Sequence, residues 1–254
     1  MTARAVLSMY DDTPCDVLRT RSGAASIIAV EHCASTMDLA HQRATDGAPH
    51  GTVVVADEQG AGRGRTGKSW RSARGAGVWA SVLLRRQVEA PSGVLSLRVG
   101  LHLSERLDAL AAERIQLKWP NDLLVGGRKL AGVLTEARWR GDALEWIVIG
   151  VGVNVRDAGG GTTSVALGAQ VRRADVLVHV IDAVLVASQH GGELSPSELA
   201  QYASRDIARG RDAVEPLRGT VVGITARGGL HVRTATGDAV AVAGSLVFRT
   251  PLSE

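Results

Sequence analysis

A chain of 254 residues with 45% hydrophobic side chains is long and apolar enough to bury a core, which argues against disorder. Its net charge is only +3, so any strong positive field must come from local clustering, and two cysteines, Cys15 and Cys33, make no disulfide framework. The first residues lack the apolar run of a signal peptide and no stretch of eighteen uncharged apolar residues occurs, so a soluble, cytoplasmic protein without a membrane partner is expected.

The β-branched runs at 25–33 and 52–58 predict two strands around a helix that Ser35 or Thr36 caps and that ends at Gly47. A strand is expected at 77–86, then a helix over 92–113, where apolar residues recur every three and four positions. Gly126 and Gly127 join DLLV to RKLAGVLTEAR as a two-residue hairpin turn, and a long strand follows at 143–155. A loop at 156–170 and helices at 172–189 and 196–207 lead to a boundary near Gly210. From Leu217 the period shortens to two between regularly placed glycines, which predicts a small β-barrel that needs a neighbour to pack on.

Residues 62–69, GRGRTGKS, fit the phosphate-loop pattern GxxxxGK[S/T]. Such a loop needs a helix beginning at its Lys-Ser, because the helix N-terminus supplies amides and a positive dipole to the phosphates. Here Gly75 and Gly77 break any helix within two turns, so a nucleotide hydrolase is not expected. What remains is a loop carrying Arg63, Arg65, Lys68, Arg71 and Arg74 without an acid. Alone, it is either solvated or a nucleic-acid contact made through phosphates.

AGRGRTGKSW at 61–70, KWPNDLLVGGRKLAGVLTEA at 118–137 and IVIGVGVNV at 147–155 occur in that order, with STMD at 35–38 and TTS at 162–164 as weaker signatures. Together they resemble the biotin protein ligases from about residue 26 onward. The resemblance implies an α+β fold: a mixed, mostly antiparallel sheet with flanking helices, related to class II aminoacyl-tRNA synthetases and lipoate ligases, plus a small C-terminal SH3-like β-barrel. It divides the chain into a short N-terminal segment at 1–25, a catalytic domain at 26–210 and the barrel at 211–254. Some relatives add an N-terminal DNA-binding helix-turn-helix. Only about 25 residues precede the first expected strand here, so a ligase without repressor function and without specific DNA binding is expected.

The implied activity joins biotin to ATP as biotinyl-5′-adenylate, then passes the biotinyl group to one lysine of a biotin carboxyl carrier domain of acetyl-CoA carboxylase or a related carboxylase. ATP with Mg2+ and biotin are substrates, no tightly bound prosthetic group is implied, and no metal ligand is assigned. By the same resemblance, Arg63, Gly64 and Arg65 lie across biotin and adenylate, and Lys129 sits where carboxylate and α-phosphate meet. Bringing two anions together calls for such fixed cations and amides. Ser35, Thr36 and Gln59 match the positions that bond biotin's neutral polar ring, Ser35 and Thr36 being equally a helix cap. Met37 stands where asparagine usually follows Ser-Thr in the family.

Gly132, Gly150 and Gly152 weaken strand-like sequence, which either a closely approaching ligand or a β-bulge explains. Trp70 and Asn154 match positions near the adenylate, Trp70 alternatively being core, while Asn121 and Asp122 follow Pro120 as a turn would. Asp122 is a polar partner or a magnesium-linked acid. Residues 63–77 would form a lid whose arginines find counter-charge only once phosphate is present. The edge of RKLAGVLTEAR offers pairing to a homodimer partner or to the carrier. Lipoate or octanoate ligation is the nearest alternative, and a non-enzymatic nucleic-acid-binding protein the more distant one.

Overall fold

The structure, a computed structural model, describes residues 4–85, 92–157 and 163–252. It begins with β1 (Arg4–Leu7), β2 (Met9–Tyr10), β3 (Thr13–Pro14) and α1 (Cys15–Ser22), followed by β4 (Ser26–Cys33), α2 (Thr36–Thr45) and β5 (Thr52–Gln59). After the basic loop come β6 (Gly77–Arg85), α3 (Ser92–Leu107), β7 (Gln116–Lys118), β8 (Asp122–Val125), β9 (Arg128–Arg140) and β10 (Ala143–Asn154). Then follow α4 (Arg173–Ser188), α5 (Pro196–Ala203) and five short strands, β11 (Asp212–Glu215), β12 (Gly219–Ile224), β13 (Leu230–Thr234), β14 (Gly237–Ala241) and β15 (Val247–Phe248).

Eight strands form one sheet in the order β1-β4-β5-β6-β10-β9-β8-β7, antiparallel throughout except for the β4–β5 pair. The alternation of β10 divides its two faces. Ile147, Ile149, Val151 and Val153 enter the larger core, which also holds the apolar sides of α3 and α4. Trp146 and Val148 face the other way, into a smaller cluster with Met37, Leu39 and Ala40 of α2. Gly150 and Gly152 continue that second face, so the α2 layer meets bare backbone where large side chains would otherwise fill the sheet.

Local chemistry explains the helix and turn positions. Ser35 caps α2 by accepting from the Met37 N–H at 3.3 Å, and Ser195 with Glu198 makes a reciprocal capping box at α5, with Pro196 in the first turn. Gly126 and Gly127 turn between β8 and β9 with φ of 54° and 73°, the left-handed pair a two-residue hairpin needs. α3 ends at Leu107, and a short 3-10 turn over Asp108–Leu110 replaces the rest of the expected helix.

Three expectations are corrected. The first strand is β1, not the run at 25–33: β1 pairs with the outer side of β4, and α1 also lies in the N-terminal segment. β7 went unpredicted because three residues are too few to show a period. The C-terminal sheet starts at β11, before Leu217, and runs in the order β14-β13-β12-β11-β15. Arg86 and Thr162, within the expected strand 77–86 and the TTS signature, lie outside the described residues. Among the described residues no helix is long and apolar enough to cross a membrane.

One buried charge anchors α3 to α5. Arg98, 1% exposed, donates to Glu198 Oε1 at 2.5 Å and to the carbonyls of His190 and Glu193 at 2.8 and 3.1 Å. Arg98→Ala is expected to cost about 3–5 kcal/mol in urea unfolding, because Glu198 is left without its cation. Burial opposes ionisation of Glu198, but the bonds from Arg98 and Ser195 win and lower its pKa to about 2. A depressed acid contributes stability above its ordinary pKa of 4.5 and loses it as pH falls toward 2. Glu198→Gln should therefore flatten the acid side of the stability curve in that window, and an unchanged curve would contradict this.

Candidate active site

Strand register assembles one row across the sheet. Lys118 of β7 pairs with Asp122 of β8, Asp122 with Gly132 of β9, Gly132 with Gly152 of β10, and Gly152 with Trp79 of β6. Segments far apart in sequence thus reach one level on one face. A cavity of about 320 Å³ opens above this row, roofed by the basic loop, by α2's first turn and by residues 245–247 from the C-terminal sheet. Ser35, Thr36, Gln59, Arg63, Gly64, Arg65, Trp70, Asn121, Asp122, Lys129, Gly132, Gly150 and Gly152 all line it.

Asn154 does not line the cavity. Its Nδ2 donates to the Lys129 carbonyl at 3.3 Å, so it supports the lysine from behind. The Thr163–Val165 backbone does the same, with the Lys129 N–H donating to the Thr163 carbonyl and the Val165 N–H to the Lys129 carbonyl, both at 3.0 Å. This gives the TTS signature a physical role that spacing alone did not show.

Charge is concentrated at one end. Lys129 Nζ lies 2.6 Å from Asp122 Oδ1, an ion pair without hydrogen-bond alignment, and 4.9 Å from the centre of the Trp70 ring. Asp122 is therefore a partner of Lys129 here. Lys118, which sequence reasoning left unassigned although it opens KWPND, also lines this end. Burial pushes its ammonium pKa down, against the pull of Asp122 and together with repulsion from Lys129 and Lys68. Arg65 is half-buried and donates to the Gly244 carbonyl at 3.3 Å, and burial lowers its pKa against the pull of Asp122. Four cations face one carboxylate, an arrangement suited to an anion with several oxygens.

The loop lacks the helix of a phosphate loop. Residues 65–67 make a single 3-10 turn, Lys68 is extended, and bridges Arg63–Ser69 and Gln59–Ser72 fold the segment back on itself before β6. Two of its arginines already hold counter-charge without phosphate, contrary to expectation, while Arg65 has only a backbone carbonyl as hydrogen-bond acceptor. Arg63 is bonded to Asp38 and, at 3.2 Å, to Glu136, and Arg74 pairs with Glu31 at 2.7 Å. Burial works against the Arg63 charge, yet those two acids raise its pKa. His41 donates its Nε2 proton to Glu136 at 3.0 Å, because its Nδ1 accepts from Trp146 Nε1 at 2.9 Å, and this bond is the main reason the Glu136 pKa is lowered.

The other end is polar without charge. Gln59 Oε1 accepts from the Thr36 N–H and hydroxyl at 2.8 and 3.1 Å, while Gln59 Nε2 donates to Ser72 Oγ at 2.7 Å. Thr36 also bonds buried Ser81 at 2.8 Å. Ser35 is the α2 cap and still faces the cavity, so the two readings of that residue coexist.

The immediate neighbours of Gly132, Gly150 and Gly152 are protein side chains. The β9–β10 register shift lies at Leu144–Trp146, away from Gly150 and Gly152, whereas the β8–β9 shift falls between Lys129 and Ala131, close to Gly132. A Cβ on Gly152 would fall 2.5 Å from the Trp70 indole, one on Gly132 3.1 Å from it, and one on Gly150 2.8 Å from Met37 Sδ. Trp70 therefore lies flat on the glycine floor, between the two alternatives of core residue and ligand cover. Gly152→Ala is expected to lift it, moving the Trp70 indole N–H resonance in a 15N spectrum. Gly100→Ala, whose nearest contacts are ordinary at 3.7 Å, should leave it in place.

Among the described residues no group of three or more His, Cys, Asp or Glu could hold a metal ion. Residues 30–154 match the Biotin/lipoate A/B protein ligase family. A "Bifunctional ligase/repressor BirA" of Bacillus spizizenii is 34% identical over 65% of this chain and 54% of its own length. The "Biotin--[acetyl-CoA-carboxylase] ligase" of Mycobacterium tuberculosis is 42% identical over 46% of this chain and 44% of its own. The chain thus spans about half the length of the curated relatives it matches. The solved biotin protein ligase from Aquifex aeolicus in complex with biotin and ATP superposes with a TM-score of 0.73 at 25% identity, covering 89% of this chain and 99% of that one.

Proposed function

We propose that the chain, whose residues 30–154 match the Biotin/lipoate A/B protein ligase family, is an ATP-dependent biotin protein ligase. The observation that carries this reading is the two-ended cavity: a neutral polar wall at Ser35, Thr36 and Gln59, a flat glycine floor, and a cationic end at Lys129, Arg65, Lys68 and Lys118. Biotin has the matching order of neutral polar ring, apolar chain and carboxylate. Lipoate or octanoate would leave the polar wall unused, so ligation of those acids is the less supported alternative.

In the first step a biotin carboxylate oxygen attacks the α-phosphorus of ATP. The new bond is a mixed anhydride, the α–β phosphoanhydride bond breaks, and pyrophosphate leaves. Lys129 and Arg65 offset the repulsion between the two anions, and Lys68 and Lys118 add charge at the phosphate end. Magnesium enters with ATP as part of that substrate. In the second step the neutral ε-amine of a carrier lysine attacks the carbonyl, the C–N bond forms, AMP leaves and the amine gives up a proton. Gly64, Trp70 and Asn121 line the path of the adenylate, and Trp70 must leave the floor for biotin to reach it.

The proposed carrier is a biotin carboxyl carrier domain of a carboxylase, in a reducing cytoplasm. The catalytic unit is placed at 26–210 and the C-terminal sheet is taken as the SH3-like barrel at 211–254, which contributes Ser245 and Leu246 to the cavity wall. Intact-mass measurement after mixing the chain, Mg-ATP, biotin and a purified carrier domain tests the reading. One biotinyl group on a single carrier lysine is expected. Transfer of octanoate or lipoate in preference to biotin would contradict it.

A further inference from the structure

The neutral end of the cavity closes on a side chain that adenylation does not use. Met37 is 4% exposed, and its N–H bond to the Ser35 cap fixes where the side chain leaves α2. Its thioether covers Gly150, where a Cβ would sit 2.8 Å from Sδ and 3.1 Å from Cγ. Behind it lie Val30, Cys33, Val54 and Val148, an apolar backing. The polar groups alongside, Thr36, Gln59, Ser72 and Ser81, are bonded to one another. At Met37 the wall therefore presents sulfur and hydrocarbon, while the hydroxyl and amide groups belong to its neighbours Ser35, Thr36 and Gln59.

We propose that Met37 sets the size and polarity limit at the ring-binding end, admitting the unsubstituted biotin bicycle and excluding analogues that carry extra oxygens on the ring sulfur, such as biotin sulfone. The inference rests on the biotin-ligase reading. A methionine is unbranched and fills irregular space, and its thioether donates no hydrogen bond. Sulfone oxygens placed against it would lose water and gain no donor. Asparagine at this position, as in the family pattern, would offer an amide N–H₂ in the same place.

Calorimetric titration of the full chain with biotin, desthiobiotin and biotin sulfone tests the limit. On the wild-type chain the sulfone is expected to bind roughly 10–200-fold more weakly than biotin, the range for rejecting a small misfit in an apolar pocket, with desthiobiotin, which adds no bulk, much nearer biotin. Met37→Asn and Met37→Ala should reduce the sulfone penalty by about fivefold or more, the former by supplying a donor and the latter by making room, while Met37→Leu, of similar volume, keeps it. An unchanged penalty in folded Met37→Asn and Met37→Ala overturns the role of Met37 while leaving the ligase reading intact. If those variants do not fold, the wild-type series decides, because equal binding of biotin and its sulfone overturns the proposal by itself. No binding of biotin to the wild-type chain would instead remove the ligase reading on which it rests.

Discussion

Replacing Lys129 by alanine is expected to slow biotin-dependent pyrophosphate release by about 10²–10³-fold, the typical loss when one fixed group that stabilises transition-state charge is removed. In the proposed first step, attack of a carboxylate on the α-phosphorus of ATP brings two anions together, and the backbone of Lys129 is held at the cationic end by three supports: Asn154 and Val165 on its carbonyl, and Thr163 on its N–H. Its ammonium is held 2.6 Å from Asp122, which keeps it extended over the floor. The side chain is 36% exposed, so its loss should leave the fold intact, and a melting curve checks this. Lys129→Arg keeps the charge but not the point geometry, and should recover only part of the rate. Near-normal release by Lys129→Ala would remove the residue from the proposed first step.

Arg65→Gly should separate making the adenylate from keeping it. Arg65 is where the basic loop meets the C-terminal sheet, through its bond to the Gly244 carbonyl, and it lies beside Asp122 at the phosphate end. Removing it deletes one charge-assisted contact and one link that closes the roof. A hydrogen bond to a charged group contributes about 1.5–3 kcal/mol, so escape of the adenylate should rise roughly tenfold or more. Escaped adenylate reacts with any nearby amine. Biotin should therefore appear on bystander proteins mixed with the variant, and labelling confined to the carrier would contradict this role. Arg63 is expected to behave differently, because Asp38 and Glu136 already hold it in the free chain.

Much of this was legible in sequence because it depends on short-range chemistry. The Gly126–Gly127 turn, the Ser35 cap and the absence of a helix after Lys68 each follow from a few neighbouring residues. The site residues that the motifs marked all line the cavity except Asn154, while Lys118 and residues 245–247 join it unmarked. What escaped depends on pairing between distant segments. Glu136 lies 73 residues from Arg63 and Asp38 lies 25, so no local pattern marks them as partners. The row from Lys118 to Trp79 exists only through the registers of four strand pairs. The glycines announced close approach, but nothing in the sequence indicated that Trp70 and Met37 would be what approached.

The most direct measurement mixes the chain with Mg-ATP and biotin, without carrier, and analyses the protein-bound small molecules by mass. Stoichiometric biotinyl-5′-adenylate, dependent on both substrates and formed about 10²–10³-fold more slowly with Lys129→Ala, is the expected result. Recovery of biotin and ATP unchanged, or of an adenylate formed from octanoate or lipoate but not from biotin, would contradict the account.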